Sequence, residues 1–162
     1  MADRFALFGL FLSHKQSSAP QLNTMLAIDN IKKGKQNMKT FYRCPICGNI
    51  IDIENFSGNV PFCCGHKMEK MTPDDSDGAK EKHVPSCITE EHKVKVSIGS
   101  ELHPMDKDHH IEWVALETDR GFYKKYIPLS HEPRVCFHLG KDEKAIAVFS
   151  YCNLHGLWVS MF

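Results

Sequence analysis

Towards the C-terminus apolar and polar residues alternate in short runs. In HKVKVSIGS, Val94, Val96 and Ile98 fall on one side of an extended chain, the two-residue period of a half-buried strand. IEWVALETDRGFYKKYIPL reads as two strands around the turn Asp119-Arg120-Gly121, and RVCFHLG, AIAVFSYC and LWVSMF follow as further short strands. Turn signals separate these runs and none carries a helical period. Residues 75–162 are therefore expected to form an all-β sandwich of about seven strands. The polar, turn-rich TPDDSDGAKE leads into these strands. It follows a different kind of text, MKTFYRCPICGNIIDIENFSGNVPFCCGHKMEKM, in which IIDI suits a strand and SGN a turn. Residues 38–74 are too few to build a large core. They are expected to form a separate small module whose folding energy comes largely from a bound metal.

Residues 1–37 read differently again. RFALFGLFL is a short apolar run before the polar SHKQSSAPQ, which allows a secretory-signal reading with small residues near Ala19. TMLAIDNIKKGKQ could form a short helix. A blander account fits better: KKGKQN, rich in residues with purine-rich codons, sits just before Met38, as a ribosome-binding site does when read as protein. Met38 is the expected start, with residues 1–37 upstream sequence or a disordered tail.

Composition narrows the function. The chain has 162 residues, formal net charge +0, seven cysteines and ten histidines. Zero net charge argues against nucleic acid and a general membrane-surface role. No apolar run approaches the length that spans a bilayer. The cysteines are odd in number and crowd at Cys44, Cys47, Cys63 and Cys64, with Cys87, Cys136 and Cys152 scattered. That pattern suits metal binding in a reducing compartment better than a disulfide framework.

The crowded four have the spacing C-x2-C, fifteen residues, then C-C. Cys44-Pro-Ile-Cys47-Gly is a metal knuckle: the short turn aims two sulfurs at one point and Gly48 relieves the backbone behind them. Four thiolates imply zinc or iron. A zinc ribbon would return with a second C-x2-C, whereas adjacent cysteines cannot repeat the knuckle. The pair therefore favours a specialised iron site. His66 lies close but is read as a surface histidine, since four sulfurs already fill the metal.

A second set is dispersed. His83 sits in EKHVP, His103 in LHPM, His109 before IEW, and Cys152 and His155 in YCNLHGLW. All five fall at loops or strand ends, where a rigid sandwich can present them together. Four imidazoles and one thiolate exceed the four ligands of a structural zinc site. Five protein ligands on an octahedral metal leave one position open, and imidazole with thiolate suits iron.

With these residues in place, the chain from Met38 to Phe162 closely resembles the desulfoferrodoxin family of two-iron superoxide reductases. The C-x2-C…C-C module, DGAKEKHVP, HPM, HHIEW and CNLHG carry the resemblance, in order. It implies a desulforedoxin-like module followed by an immunoglobulin-like β-sandwich, as a homodimer in the cytoplasm, with two iron ions per chain. Cys44, Cys47, Cys63 and Cys64 would hold a rubredoxin-like iron. His83, His103, His109 and His155 would be equatorial ligands of the catalytic iron, and Cys152 its axial ligand opposite the open position. Glu81 would close that position on oxidised iron and Lys82 would face incoming superoxide.

The implied reaction reduces superoxide with one electron and two protons to hydrogen peroxide, and rubredoxin or a similar donor restores the electron. His110 departs from the bulky aromatic expected there. His109 is chosen as ligand by its spacing from His103. Backbone amides near Leu154 and His155 are expected to reach the Cys152 sulfur. Trp113 and Trp158 are expected as core anchors beside the ligands. Cys87 and Cys136 read as ordinary buried or half-buried thiols, and His92, His131 and His138 as surface or strand histidines. Two other readings remain: a superoxide dismutase, and a non-catalytic iron electron carrier or redox-sensing module. The open position argues against the carrier.

Overall fold

Val94, Val96 and Ile98 are almost wholly shielded from water, and the facing residues that shield them define the sandwich. The computed structural model describes residues 38–54, 56–74 and 80–162; the expectations for residues 1–37 lie outside the described residues. The chain runs β1 (Thr40–Arg43), β2 (Ile50–Ile53), β3 (Phe62–Cys63), β4 (His66–Lys67), β5 (Glu69–Lys70), α1 (Lys80–His83), β6 (Pro85–Glu90), β7 (Lys93–Ile98), β8 (Ile111–Thr118), β9 (Phe122–Tyr126), β10 (Arg134–His138), β11 (Ala145–Cys152) and β12 (Gly156–Met161). The sandwich pairs a three-stranded sheet, β10-β7-β6, with a four-stranded one, β12-β11-β8-β9. Its seven strands match the expected number. The hairpin between β8 and β9 turns where Asp119-Arg120-Gly121 predicts, with Glu117 opposite Phe122.

Between the sheets lie Val94, Val96 and Ile98 from β7, Val114 and Leu116 from β8, Phe137 from β10, and Val148 and Cys152 from β11. The alternate residues of the four-stranded sheet are buried too. Trp113, Ala115, Phe149, Tyr151 and Leu157 form a second cluster with Phe41 of β1. Phe41 meets Trp113 at 5.5 Å and Phe149 at 5.3 Å between ring centroids. This explains why β8 and β11 read as nearly continuous apolar runs: each is covered on both faces.

The cysteine module, with sheets β2-β1-β5 and β3-β4, is therefore joined to the sandwich by a shared core. A backbone bond reinforces the junction, from Asp74 N to Leu157 O (2.8 Å), while Met71 N to Phe41 O (2.9 Å) holds the module's own end against β1. Lys39 N donates to the buried carboxylate of Glu117 at 3.0 Å. Burial pushes the Glu117 carboxyl above its usual range, and that bond opposes the shift.

Two features escape the sequence pattern. β6 contributes little apolar alternation because it is an edge strand exposed over much of its length. α1 is a single turn, closed by Val84 N to Lys80 O at 3.0 Å. A bulge also interrupts the β8–β11 ladder: Tyr151 pairs with Trp113 and Cys152 with Ile111, leaving Glu112 unpaired. An inserted residue re-aims neighbouring side chains, and here it lies beside the end of the strand that carries Cys152.

Truncating Phe41 to alanine should cost about 3–5 kcal/mol, the range for a large buried aromatic, measured by urea unfolding of the full chain. An unchanged unfolding midpoint would show that the sandwich does not depend on the aromatic the module supplies to it.

Candidate metal centres

Two groups of side chains among the described residues converge tightly enough to hold a metal. The first is Cys44, Cys47, Cys63 and Cys64, whose sulfurs all lie within 4.8 Å of one another. The knuckle forms as its spacing predicts: Cys47 N donates to Cys44 Sγ at 3.5 Å, Gly48 N to Cys44 O at 3.0 Å, and Gly48 takes φ +75°. The adjacent pair reaches the same point by a different device. Cys63 ends β3 opposite His66, and Cys64 and Gly65 form the two-residue turn to β4. Both turn residues have positive φ, 51° and 77°, as a type I′ hairpin requires.

Cys63 Sγ lies 3.6 Å from Cys47 Sγ and 3.9 Å from Cys64 Sγ. Metal–sulfur bonds of about 2.3 Å in a tetrahedron put sulfurs roughly 3.8 Å apart, so the set fits a four-thiolate ion. Without metal, the Cys47 amide brings the Cys44 thiol down to about 6, while the neighbouring Cys47 side chain is the main cause pushing Cys64 up to about 12. Negative charge thus settles first on Cys44. His66 is exposed, with Nδ1 3.0 Å from Cys64 O.

The second group is His83, His103, His109, Cys152 and His155. His83 closes α1, is 2% exposed, and stacks on Trp158 with centroids 4.8 Å apart. Its Nε2 lies 2.9 Å from His155 Nδ1; His109 Nε2 lies 3.1 Å and Cys152 Sγ 3.5 Å from that same nitrogen. His103 Nδ1 donates to Pro104 O at 2.6 Å, which leaves Nε2 as the acceptor nitrogen, buried and without a hydrogen-bond partner. An orphaned buried acceptor aimed into a cluster of others is what a metal ligand looks like before the metal. Nitrogens at right angles on bonds of about 2.1 Å sit roughly 3.0 Å apart, against roughly 3.4 Å in a tetrahedron. The observed spacings fit the former.

The electrostatics favour ligation. Desolvation lowers His103 to about 4, so it is neutral, the ligating form. Desolvation, then the neighbouring His155, lowers His109. Burial raises the Cys152 thiol, and hydrogen bonds from the His155 and Leu154 amides oppose the rise. Those amides are where the sequence places them. His83, His103 and Cys152 are buried, His109 is half-buried and His155 exposed, so the group opens to solvent on one side.

His109, not His110, joins the group; His110 Nδ1 lies instead 3.0 Å from Asp106 O. Trp158 packs beside His83 as expected, but Trp113 does not stand beside a ligand. It stacks on Tyr151 at 5.5 Å on the opposite face, with Lys124 Nζ 4.6 Å from its ring centroid. The neighbour in β8, Val114, takes the inner face instead. Cys87 and Cys136 are half-buried, and His92, His131 and His138 exposed.

Two supports were not legible as such. Ser150 Oγ, buried in β11, donates to His83 O at 3.0 Å. Gly99, with φ +81°, lets the chain pass under α1: a Cβ there would fall 2.8 Å from the Glu81 and Lys82 carbonyl oxygens and 2.3 Å from that of Glu101. Glu81 O also accepts from Ser100 N at 2.7 Å and Ser100 Oγ at 3.2 Å. A serine inside an apolar strand and a glycine directly after one are the only sequence signals. The side chains of Glu81 and Lys82 are exposed, and the Lys82 charge is near enough to bear on His109.

The desulfoferrodoxin family model matches residues 75–161, and the desulfoferrodoxin N-terminal domain model matches residues 36–71. The chain is 40% identical over 122 residues to the desulfoferrodoxin of Nitratidesulfovibrio vulgaris, covering 75% of this chain and 95% of that one. It is 34% identical over 108 residues to a superoxide reductase of Pyrococcus abyssi, covering 56% of this chain and 94% of the relative. Among solved structures, the superoxide reductase from Treponema pallidum superposes with TM-score 0.65 at 31% identity, covering 76% of this chain and 97% of that chain. A two-site ligand architecture on this fold is that of a non-haem iron protein, and the chain belongs to the desulfoferrodoxin family. Its two ligand groups are a four-cysteine iron centre and a centre of four histidines and one cysteine.

The His103 shift makes the metal-free chain acid-sensitive. Unfolded, His103 takes up a proton near its ordinary 6.5; folded, it resists until about 4. Below about pH 6.5 the unfolded state binds more protons, so stability falls with pH until about 4, and no such contribution exists well above 6.5. Urea midpoints of the apoprotein should drop across that window, and less steeply in His103→Gln.

Proposed function

We propose that this chain is a superoxide reductase: superoxide, one electron and two protons give hydrogen peroxide. The observation that carries the reading is the group of five convergent donors, with the orphaned Nε2 of His103 inside it and one side open to solvent. Iron held by His83, His103, His109, His155 and Cys152 would supply the electron to superoxide and would take a replacement from a donor. The protein's own part is to bind, orient and protonate.

Lys82 attracts the anion. An exposed ammonium close to His109 raises the encounter rate with a small anion by about 10- to 1000-fold when the field is focused. It also orients a water for proton delivery. Glu81, of opposite charge on the same turn, works against that attraction, and it would instead shield the solvent-facing side of the ligand group after turnover. Cys152 would supply electron density to iron held there, and the hydrogen bonds its sulfur accepts from the His155 and Leu154 amides would temper it. The Ser150 bond to His83 and the passage of Gly99 under α1 fix the turn that carries Glu81, Lys82 and His83.

The organisation that goes with this activity is a module over 38–74 and a reductase domain over 75–162. The protein works as a homodimer in the reducing cytoplasm, where the seven free cysteines remain reduced. Rubredoxin or a similar one-electron donor reduces it, and the exposed Cys47 and Cys64 offer an entry point at the four-cysteine centre. No helix among the described residues is long and apolar enough to cross a membrane.

An anaerobic assay with iron-loaded full-length chain and excess donor should give one hydrogen peroxide per superoxide and no oxygen. Oxygen release would mean dismutation, and no consumption of superoxide would leave an electron carrier or sensor. Lys82→Ala should slow the second-order reaction with superoxide by about 10-fold or more and flatten its ionic-strength dependence. An unchanged rate would remove the steering role.

A further inference from the structure

The five ligands are not held equally well. His83 is stacked on Trp158 and its carbonyl is bonded by Ser150. His103 is fixed through its own Nδ1. Cys152 ends a buried strand. His109 and His155 differ from these three, since each ring hydrogen-bonds only to other ligands among the described residues; His155 follows Cys152 within one short turn, whereas His109 is half-buried on the long connection between β7 and β8.

The backbone on either side of His109 is held by one side chain. Asn153 Nδ2 donates to Asp108 O at 2.9 Å, and His110 N donates to Asn153 Oδ1 at 2.9 Å. The Asn153 backbone N–H adds a third bond, to His110 O at 3.2 Å. Asn153 thus brackets His109 from both flanks. It also sits within the turn that supplies Cys152 and His155, so three of the five ligands become one hydrogen-bonded unit. Its neighbour contact, Oδ1 to Cys152 Sγ, is long at 3.9 Å, which leaves the bracket as its main polar task.

We infer that Asn153 is a positioning residue that holds His109 as the fifth ligand and thereby sets the selectivity of this centre for iron over zinc. Without His109 the group is His83, His103, His155 and Cys152, three nitrogens and one sulfur, a number that zinc takes as a closed tetrahedron. At a given site zinc binds more tightly than ferrous iron, so a protein selects iron through geometry. The fifth donor, kept 3.1 Å from His155 Nδ1, is that geometry, and Asn153 keeps it there. The inference rests on the reading of this centre as an iron site, but its test counts metal and not turnover.

The experiment loads the full-length chain anaerobically with equal ferrous iron and zinc and measures both metals per chain, with Asn153→Ala beside the parent. The four-cysteine centre, untouched by the substitution, serves as the internal reference through its own absorption. The iron-to-zinc ratio at the second centre should fall about 10- to 100-fold, the usual cost of losing a partner that orients a metal ligand. Asn153→Asp retains the acceptor for His110 N but loses the donor to Asp108 O and should fall between. Adding Asn153→Ala to His109→Ala should change nothing further, since both remove the same ligand. An unchanged ratio in Asn153→Ala, or an additive loss on top of His109→Ala, would overturn the inference. If the alanine variant does not fold, Asn153→Asp decides alone, and a ratio equal to the parent's overturns it. A parent chain with no iron at the second centre would instead defeat the functional reading beneath it.

Discussion

Phe149 and Tyr151 point from β11 towards Phe41 and Trp113, while Ser150 and Cys152 point the other way, to His83 and the ligand group. One strand therefore belongs to two cores at once. Its outer face is fixed by aromatic packing, in which each well-placed pair contributes about 0.5–1.5 kcal/mol beyond the area it buries. Its inner face places a sulfur and a hydroxyl to within hydrogen-bonding tolerance. Because side chains alternate, a slip of one residue would swap the faces and put Tyr151 where Cys152 belongs. The outer packing is what makes such a slip unfavourable, so the cysteine module contributes to the accuracy of a centre that it does not line.

The ligand group is arranged for a cation. Several acceptor nitrogens converge within about the distance of a hydrogen bond, yet His103 Nε2 has no donor facing it. Desolvation discourages the protons that would relieve the crowding. A cation resolves all of this together, which couples binding to folding in the way general for metal sites. The same logic holds on a smaller scale in the four-cysteine module, where charge gathers on Cys44 at the expense of its neighbours.

Much of this was legible in the linear chain. β7 showed itself through Val94, Val96 and Ile98, and β8 and β11 through runs that only a doubly covered strand can carry. The ligands were legible because thiolates and imidazoles at loops have few other reasons to accumulate. β6 was not, because an exposed edge strand needs backbone pairing and few apolar residues. The side chosen by Trp113 depends on what covers the sheet's outer face, which no local pattern states. Ser150 and Gly99 escaped for a related reason: one acts through a single bond across 67 positions, the other by the side chain it lacks. Residue type announces ligands, whereas the supports of ligands are announced only by what they touch.

The shared aromatic cluster also bears on modularity. A sandwich cut free of the cysteine module would leave Trp113, Phe149, Tyr151 and Leu157, all buried here, facing water. An apolar area of that kind invites self-association. Chains that perform this chemistry with a shorter N-terminal part must therefore roof that sheet by some other means, and transplanting the reductase half into a new host would require bringing a lid along with it.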